Sequence, residues 1–301
     1  MKGLVTKTTG SWYTVLPSEG TLPIAARLRG ALRMVDYSST SPVVVGDRVT
    51  IEQNATGEWV ITAVDDRANY LVRRSTNLSR EKHIIAANID HIYIVVSLVS
   101  PATPLEFIDR VLVGAECYSI PVTILVNKSD IAPPNEYFID IYKKAGYQAL
   151  SISARTGLGI DSLRGAISGQ TVLFTGNSGV GKSSIINALD PTFAARTGVV
   201  SAAHGKGKHT TTFSEIFPLS GGGYLIDTPG IKGFGLVAID SCELYHYFPE
   251  IMSHSSGCGF YNCTHTHEPG CAVIEAVSAG EIAAERYESY LKMLDEDQKY
   301  R

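Results

Sequence analysis

The stretch VTILVNKSD, residues 122–130, decides how this chain is read. It is an apolar, β-branched run that ends in Asn127-Lys128-Ser129-Asp130, a tetrapeptide of the kind that reads a guanine base. Guanine offers N1–H and its exocyclic amine as adjacent donors, and one carboxylate accepts from both; adenine has neither in that place. Asp130 is therefore the discriminating group, with Asn127 on the N7/O6 side and the Lys128 stem over the ring. Ser151-Ile152-Ser153-Ala154, at the end of another apolar run, can bring a backbone amide of Ser153 or Ala154 to the guanine O6.

Downstream, Gly176-Asn177-Ser178-Gly179-Val180-Gly181-Lys182-Ser183 satisfies the pattern G-x-x-x-x-G-K-[ST] between a strand-like run (TVLF) and a helix-like one that opens with Ser183 and Ser184. Glycines let backbone N–H groups turn onto phosphates, and the helix N-terminus adds its positive dipole end. Lys182 reaches the β and γ oxygens, and the Ser183 hydroxyl suits Mg²⁺. Asp227-Thr228-Pro229-Gly230 follows the run YLI, where a Mg²⁺-linked carboxylate and a γ-phosphate-sensing glycine amide belong. Together these signals specify GTP and Mg²⁺.

The order is unusual. Base-reading elements come first, then the phosphate loop, then the switch, whereas an ordinary G domain begins with the phosphate loop. Loops that emerge at one edge of a parallel sheet form the same site whichever connection is opened, so the domain reads as circularly permuted.

Around this domain the chain changes character. The 301 residues are 44% hydrophobic with net charge −4, which suits a multidomain α/β protein with packed cores and excludes a nonspecific polyanion binder. Met1-Lys2-Gly3-Leu4-Val5-Thr6-Lys7 turns polar at once, and the longest apolar run, near Ile92 to Val99, is too short to span a bilayer, so a cytoplasmic protein without membrane contact is expected. Residues 1–68 carry short alternating runs punctuated by Gly and Pro, as in a small all-β barrel or sandwich. Arg27, Arg29 and Arg33, then Arg73, Arg74, Arg80 and Lys82, form either a solvated face or an RNA-contacting patch. Residues 69–235 hold the α/β domain, with strands expected at HIYIVVSLV, PVTILVN, YQALSIS, TVLFTG, SEIFPL and YLIDTPG, and helices near 105–118, 136–146, 160–168 and 182–190.

The last segment, 236–301, opens Gly- and Cys/His-rich and closes in a helix around 281–295, whose Tyr287, Tyr290, Leu291 and Leu294 share one face as a core stripe. Five cysteines argue against a disulfide framework in such a protein, and three of them lie within fourteen residues beside histidines. Cys258-x4-Cys263-x-His265-x5-Cys271 is a closed set of three thiolates and one imidazole that suits structural zinc, with His267 the main competitor for the imidazole place and His254 and Cys242 weaker ones.

Barrel, NKSD, Ser-Ala loop, GNSGVGKSS, GKGKHTTT, DTPG and Cys/His cluster, in that order, closely resemble the RsgA (YjeQ/YloQ) family of circularly permuted, ribosome small-subunit-dependent GTPases. The resemblance implies an N-terminal OB-fold, a permuted G domain, a C-terminal zinc module that is α-rich, and GTP hydrolysis to GDP stimulated by the small (30S) subunit and its 16S rRNA late in assembly. Nothing demands a dimer, so a monomer is expected.

Gly205-Lys206-Gly207-Lys208-His209-Thr210-Thr211-Thr212 lies where a switch must supply a Mg²⁺-binding threonine; Thr211 is the candidate and Thr212 the near alternative. After DTPG stands Ile231, which cannot orient water as a glutamine does there in Ras-like enzymes. The family's HTTT motif assigns water positioning or proton acceptance to His209. Slow intrinsic hydrolysis is then expected, along with a γ-phosphate response at Gly230 that repositions the zinc module. Two alternatives stand beside this reading: a nucleotide-gated rRNA-binding scaffold with incidental hydrolysis, which Ile231 favours, and a permuted GTPase of large-subunit assembly, which the barrel and the Cys/His module oppose.

Overall fold

Along Lys2–Thr9 (β1) and Trp12–Pro17 (β2), open and buried side chains alternate as they do on a strand with one covered face. The two form a hairpin with a bulge between Val5 and Lys7; bulges bend a strand and add the twist that a small barrel needs to close. Ile24–Leu28 (β3), Arg48–Gln53 (β4) and Trp59–Val64 (β5) complete the order β1-β2-β3-β5-β4, and β4 pairs back onto β1. The choice between barrel and sandwich thus falls to a closed five-stranded barrel, filled by Val5, Tyr13, Val15, Ala26, Val49, Ile51 and Ile61.

The connector after the barrel, legible in sequence only as basic, contains Tyr70–Arg73 (β6) and His83–Ala87 (β7), paired antiparallel as a separate two-stranded sheet. Gly46 lets the barrel meet this hairpin. Its φ is 90°, and a Cβ there would sit 1.9 Å from the Ala87 carbonyl oxygen. Beside it the fully buried Asp47 takes two hydrogen bonds from Arg67, at 2.7 and 2.8 Å.

The computed structural model describes residues 1–20, 22–30, 42–73, 83–193, 214–227 and 243–299. They fall in two units, one of 1–92, 161–175 and 183–232, the other of 93–160, 176–182 and 233–301. Arg33, Arg74, Arg80 and Lys82 lie outside the described residues.

Further along the chain come His91–Ser97 (β8), Val122–Asn127 (β9), Gln148–Ser151 (β10), Thr171–Thr175 (β11), Glu215–Pro218 (β12) and Tyr224–Asp227 (β13), at the six expected places. In the first unit β11 runs parallel to β13, β12 is antiparallel to β13, and β12 continues onto β1 at Lys7 opposite Glu215, whose charges pair at 2.9 Å. In the second unit β8, β9 and β10 lie side by side, with β9 and β10 parallel. β8, β9 and β11 are buried over nearly their whole length, which is why they read as continuous apolar runs.

Leu105–Glu116 (α1), Glu136–Lys144 (α2), Ile160–Ile167 (α3) and Lys182–Leu189 (α4) match the expected helices. Asn135 caps α2 by accepting from Phe138 N at 2.8 Å. Among the described residues the C-terminal segment holds three α-helices where sequence indicated one: Pro249–Ser255 (α5), Ala272–Ser278 (α6) and Ala284–Lys299 (α7). Seven-residue helices are too short to give a clear periodic signal. The stripe on α7 packs as expected, with Tyr290 and Leu294 buried and Tyr287 and Leu291 partly so, against Phe248, Ile251, Val273 and Val113 of α1. No described helix is long and apolar enough to cross a membrane.

One buried cluster escaped the sequence. Arg286 of α7, 0% exposed, donates to Glu250 of α5 at 2.7 Å and to Asp109 of α1 at 2.8 Å, and Asp109 also accepts from Ser289 at 2.5 Å. The Arg286 guanidinium lies 4.7 Å from the Phe248 ring centre, an added cation–π contact. Burial pushes the Asp109 carboxyl up, partly offset by Arg286. A charge held this way tolerates no loss of partner.

Candidate functional site

Four loops of the second unit converge. β9 runs buried to Asn127, so the residues after it leave the sheet at the end where ligands of parallel sheets bind. Asn127 Nδ2 donates to the Val180 carbonyl at 2.8 Å, and its Oδ1 accepts from Ala154 N at 3.2 Å. One buried side chain therefore ties the base-reading segment, the phosphate loop and the Ser-Ala loop together. Asn127, expected on the N7/O6 side of guanine, makes both of these hydrogen bonds to the loops around it.

Lys128 has φ of 63° and sends its ammonium to the carbonyls of Ser100 and Gly179, at 2.6 and 2.9 Å. Asp130 lies in the next turn. Ser153 Oγ donates to its Oδ1 at 2.6 Å, while its buried Oδ2 is paired with Arg155 Nη2 at 2.7 Å. The Ser153 hydroxyl, helped by the Arg155 charge, holds the Asp130 carboxyl below its usual range. An ionised carboxylate is the group that guanine's N1–H and amine require.

In the phosphate loop, Gly176 and Gly181 have φ of 149° and 100°. A Cβ at Gly176 would lie 2.2 Å from the Val95 carbonyl oxygen, and one at Gly181 would lie 2.2 Å from Asn127 Nδ2. Neither position admits a side chain, so the backbone itself faces the ligand space. Gly179, with φ of 82°, turns toward Pro101. Lys182 folds over the loop, its Nζ 2.6 Å from Gly176 O and 2.8 Å from Asn177 O. Asn177 and Ser178 fill the turn between the first two glycines, and Ser183 and Ser184 stand exposed in the first turn of α4. The residues present thus fit a guanine nucleotide: a cradle without side chains, a lysine at its centre, and a carboxylate held in its ionised form at its far end.

Asp227 ends β13, in register with Glu215. Its side chain, with Thr228, Pro229, Gly230, Ile231, His209, Thr211, Thr212 and Cys242, lies outside the described residues.

The second cluster is Cys258, Cys263, His265 and Cys271, whose ligand atoms all lie within 4.8 Å of one another. Cys258 Sγ is 3.9 Å from Cys271 Sγ, and His265 Nδ1 is 3.5 and 3.6 Å from those two sulfurs. Zn–S and Zn–N bonds at tetrahedral angles imply S···S of about 3.8 Å and S···N of about 3.6 Å. The donor set and its spacing fit zinc through Nδ1. His267 instead pairs with Thr266 Oγ1 at 2.7 Å, and His254 is engaged by the Glu250 carbonyl at 2.7 Å and by Glu281 at 3.1 Å.

The ligand loop is held from outside. Glu268, which the sequence did not single out, accepts from Thr264 N at 2.7 Å, from Thr266 N at 3.1 Å and from His267 N at 3.2 Å. Burial opposes ionisation, but the Thr264 hydroxyl, which also donates to Glu268, and these backbone amides hold its carboxyl well below the usual range. Tyr287 and Tyr290 of α7 donate to the carbonyls of His265 and Thr264, at 2.7 and 2.8 Å. The core stripe on α7 thus also orients the metal loop.

The chain is similar to known proteins over its whole length. The model of the RsgA N-terminal domain matches residues 2–61, and that of the RsgA GTPase matches residues 64–237. A Bacteroides fragilis protein named small ribosomal subunit biogenesis GTPase RsgA is 50% identical, the match covering 100% of this chain and 99% of that one. A protein of the same name from Porphyromonas gingivalis is 47% identical over 100% of this chain and 99% of its own. The crystal structure of YjeQ from Thermotoga maritima superposes with a TM-score of 0.78 at 34% identity, covering 98% of this chain and 97% of that one. YloQ, described as a circularly permuted GTPase, gives 0.75 at 27% identity, covering 100% and 96%.

Proposed function

Since the chain belongs to the RsgA GTPase family, and is a GTP-hydrolysing enzyme with a permuted G domain, we propose that it binds the small ribosomal subunit through 16S rRNA late in assembly. Hydrolysis of GTP to GDP, stimulated by the subunit, then times its release. The observation that carries the nucleotide part is the junction at Asn127, which joins base-reading and phosphate-holding loops into one guanine site. The subunit part rests on the relatives' names and on the barrel, where the Arg27 guanidinium lies 4.2 Å from the centre of the exposed Trp12 ring. Such a stacked, cationic aromatic suits an unpaired RNA base.

In this account residues 1–68 are the RNA-binding OB-fold barrel, 69–235 the permuted GTPase domain, and 236–301 the zinc-binding module. Asp130 accepts the guanine N1–H and amine, and the amides of Ser153 and Ala154 face O6. The backbone from Gly176 to Gly181 surrounds the phosphates, and Lys182 leaves its loop carbonyls to balance charge on the β and γ oxygens. Ser183, Thr211 and, by the family's pattern, Asp227 hold Mg²⁺, which supplies neutralisation of phosphate charge when bound. His209 positions the attacking water, and Gly230 senses the γ-phosphate. Zinc on Cys258, Cys263, His265 and Cys271 is structural, since four protein ligands leave no place for a reacting water. The protein acts as a cytoplasmic monomer.

Ile231, in place of a water-orienting glutamine, favours a second reading in which the chain is a nucleotide-gated RNA scaffold and hydrolysis is incidental. GTP turnover with purified small and large subunits separates the two. Acceleration by the small subunit alone supports the first reading.

A further inference from the structure

Arg155 stands directly after the Ser-Ala loop, and its guanidinium Nη2 is 2.7 Å from Asp130 Oδ2. The oxygen so paired is buried, and the other, Oδ1, is already filled by Ser153 at 2.6 Å. The partners differ sharply in exposure: the Arg155 side chain is 75% exposed, whereas that of Asp130 is 10% exposed and bonded to the Ser-Ala loop through Ser153. A guanidinium presents a planar pair of N–H donors. Guanine's N1–H and amine present the same pair, so the two groups compete for one acceptor.

We propose that Arg155 is an intramolecular competitor for the guanine-reading carboxylate. It occupies Asp130 when the base leaves, and must swing away before the base can bind. This inference rests on the guanine reading of the site. It assigns Arg155 a positioning role: the residue lowers affinity for guanine nucleotides and hastens their release, while Asp130 keeps its charge in both situations.

The size of the effect follows from the exposure of the arginine. Ion pairs with one exposed partner contribute modestly and are screened by salt. Removing the competitor should therefore tighten GDP binding about two- to fivefold. Lys128, the other cation nearby, is engaged by the Ser100 and Gly179 carbonyls, and Lys182 lies over the phosphate loop.

The test measures equilibrium affinity and release rate of a fluorescent GDP on the full-length chain, its Arg155→Ala variant and its Arg155→Lys variant, at low and high salt, with ADP as control. Arg155→Ala should bind GDP about two- to fivefold more tightly and release it correspondingly more slowly, with no gain for ADP. Arg155→Lys, which keeps the charge and loses the planar fork, should fall between, and high salt should narrow all differences. A merely structural role for Arg155 would not give tighter binding selective for guanine and erased by salt. Unchanged or weaker GDP binding in Arg155→Ala, with the parent chain binding normally, overturns the inference and leaves the guanine site standing. Failure of the parent chain to bind GDP overturns both.

Discussion

Asn127 Nδ2 donates to Val180 O across 53 residues of sequence, at 2.8 Å. With Ala154 N donating to Asn127 Oδ1 at 3.2 Å, this side chain is the hub through which a G domain with rearranged chain order keeps its site whole. Permutation changes which loop comes first. It does not change which atoms must meet.

Replacing Asn127 with alanine leaves the buried Val180 carbonyl without its donor and Ala154 N without its acceptor. The unfilled buried carbonyl costs about 1–3 kcal/mol and the half-buried amide less. Asn127→Ala should lower the urea midpoint and weaken GDP binding about tenfold or more, since about 1.4 kcal/mol is a factor of ten. Titration calorimetry and equilibrium unfolding measure the two effects separately.

Asp130→Asn turns one acceptor oxygen into a donor. Guanine N1–H would then face an N–H, whereas xanthine offers a carbonyl at the 2-position. GTP affinity should fall about a hundredfold or more, from loss of hydrogen bonds to a charged acceptor, while affinity for xanthosine triphosphate rises. Competition binding with the two nucleotides checks this. The pH dependence follows from the depressed pKa of Asp130, with the Ser153 hydroxyl as its main cause. A carboxyl whose folded pKa lies below the unfolded value stays charged above that value. Binding through it should therefore persist below pH 5 and decline only as pH falls through the lowered pKa.

Removing a metal ligand tests the second cluster. Zinc content by atomic absorption should be about one per chain in the parent and near zero in Cys271→Ser. The C-terminal module should lose its thermal transition in the variant, because zinc binding in a closed site contributes folding free energy directly.

On the barrel, Trp12→Ala should reduce affinity for small subunits several-fold, as expected when a stacking platform is worth about 1–3 kcal/mol per base. GDP affinity should be unaltered. A filter-binding or sedimentation assay, run beside GDP titration, separates the two.

The strands and helices of the G domain were legible because fully buried parallel strands write themselves as unbroken apolar runs such as HIYIVVS and VTILVN. The site was legible because its chemistry needs residue types at fixed spacing: Gly176, Gly181 and Lys182 around phosphate, Asp130 against guanine. What stayed hidden is made of long-range pairs. The Arg286 grip on Asp109 spans 177 residues and looks, in sequence, like ordinary charges on two amphipathic helices. Arg155 was adjacent to a motif already marked, yet nothing in its identity says that it faces Asp130. Glu268 sits among the metal ligands, and its place inside their loop was the one available clue. The β6–β7 hairpin was missed because short strands in a basic connector carry little period-two signal.

The central claim is a subunit-stimulated GTPase, and its most direct test is the rate of phosphate release from GTP by the full-length chain alone, with purified small subunits, and with purified large subunits. Turnover should be slow alone, markedly faster with small subunits and little changed with large ones, and the acceleration should be lost in His209→Ala while GTP binding is kept. Turnover unaffected by small subunits, or raised equally by large ones, would contradict that claim.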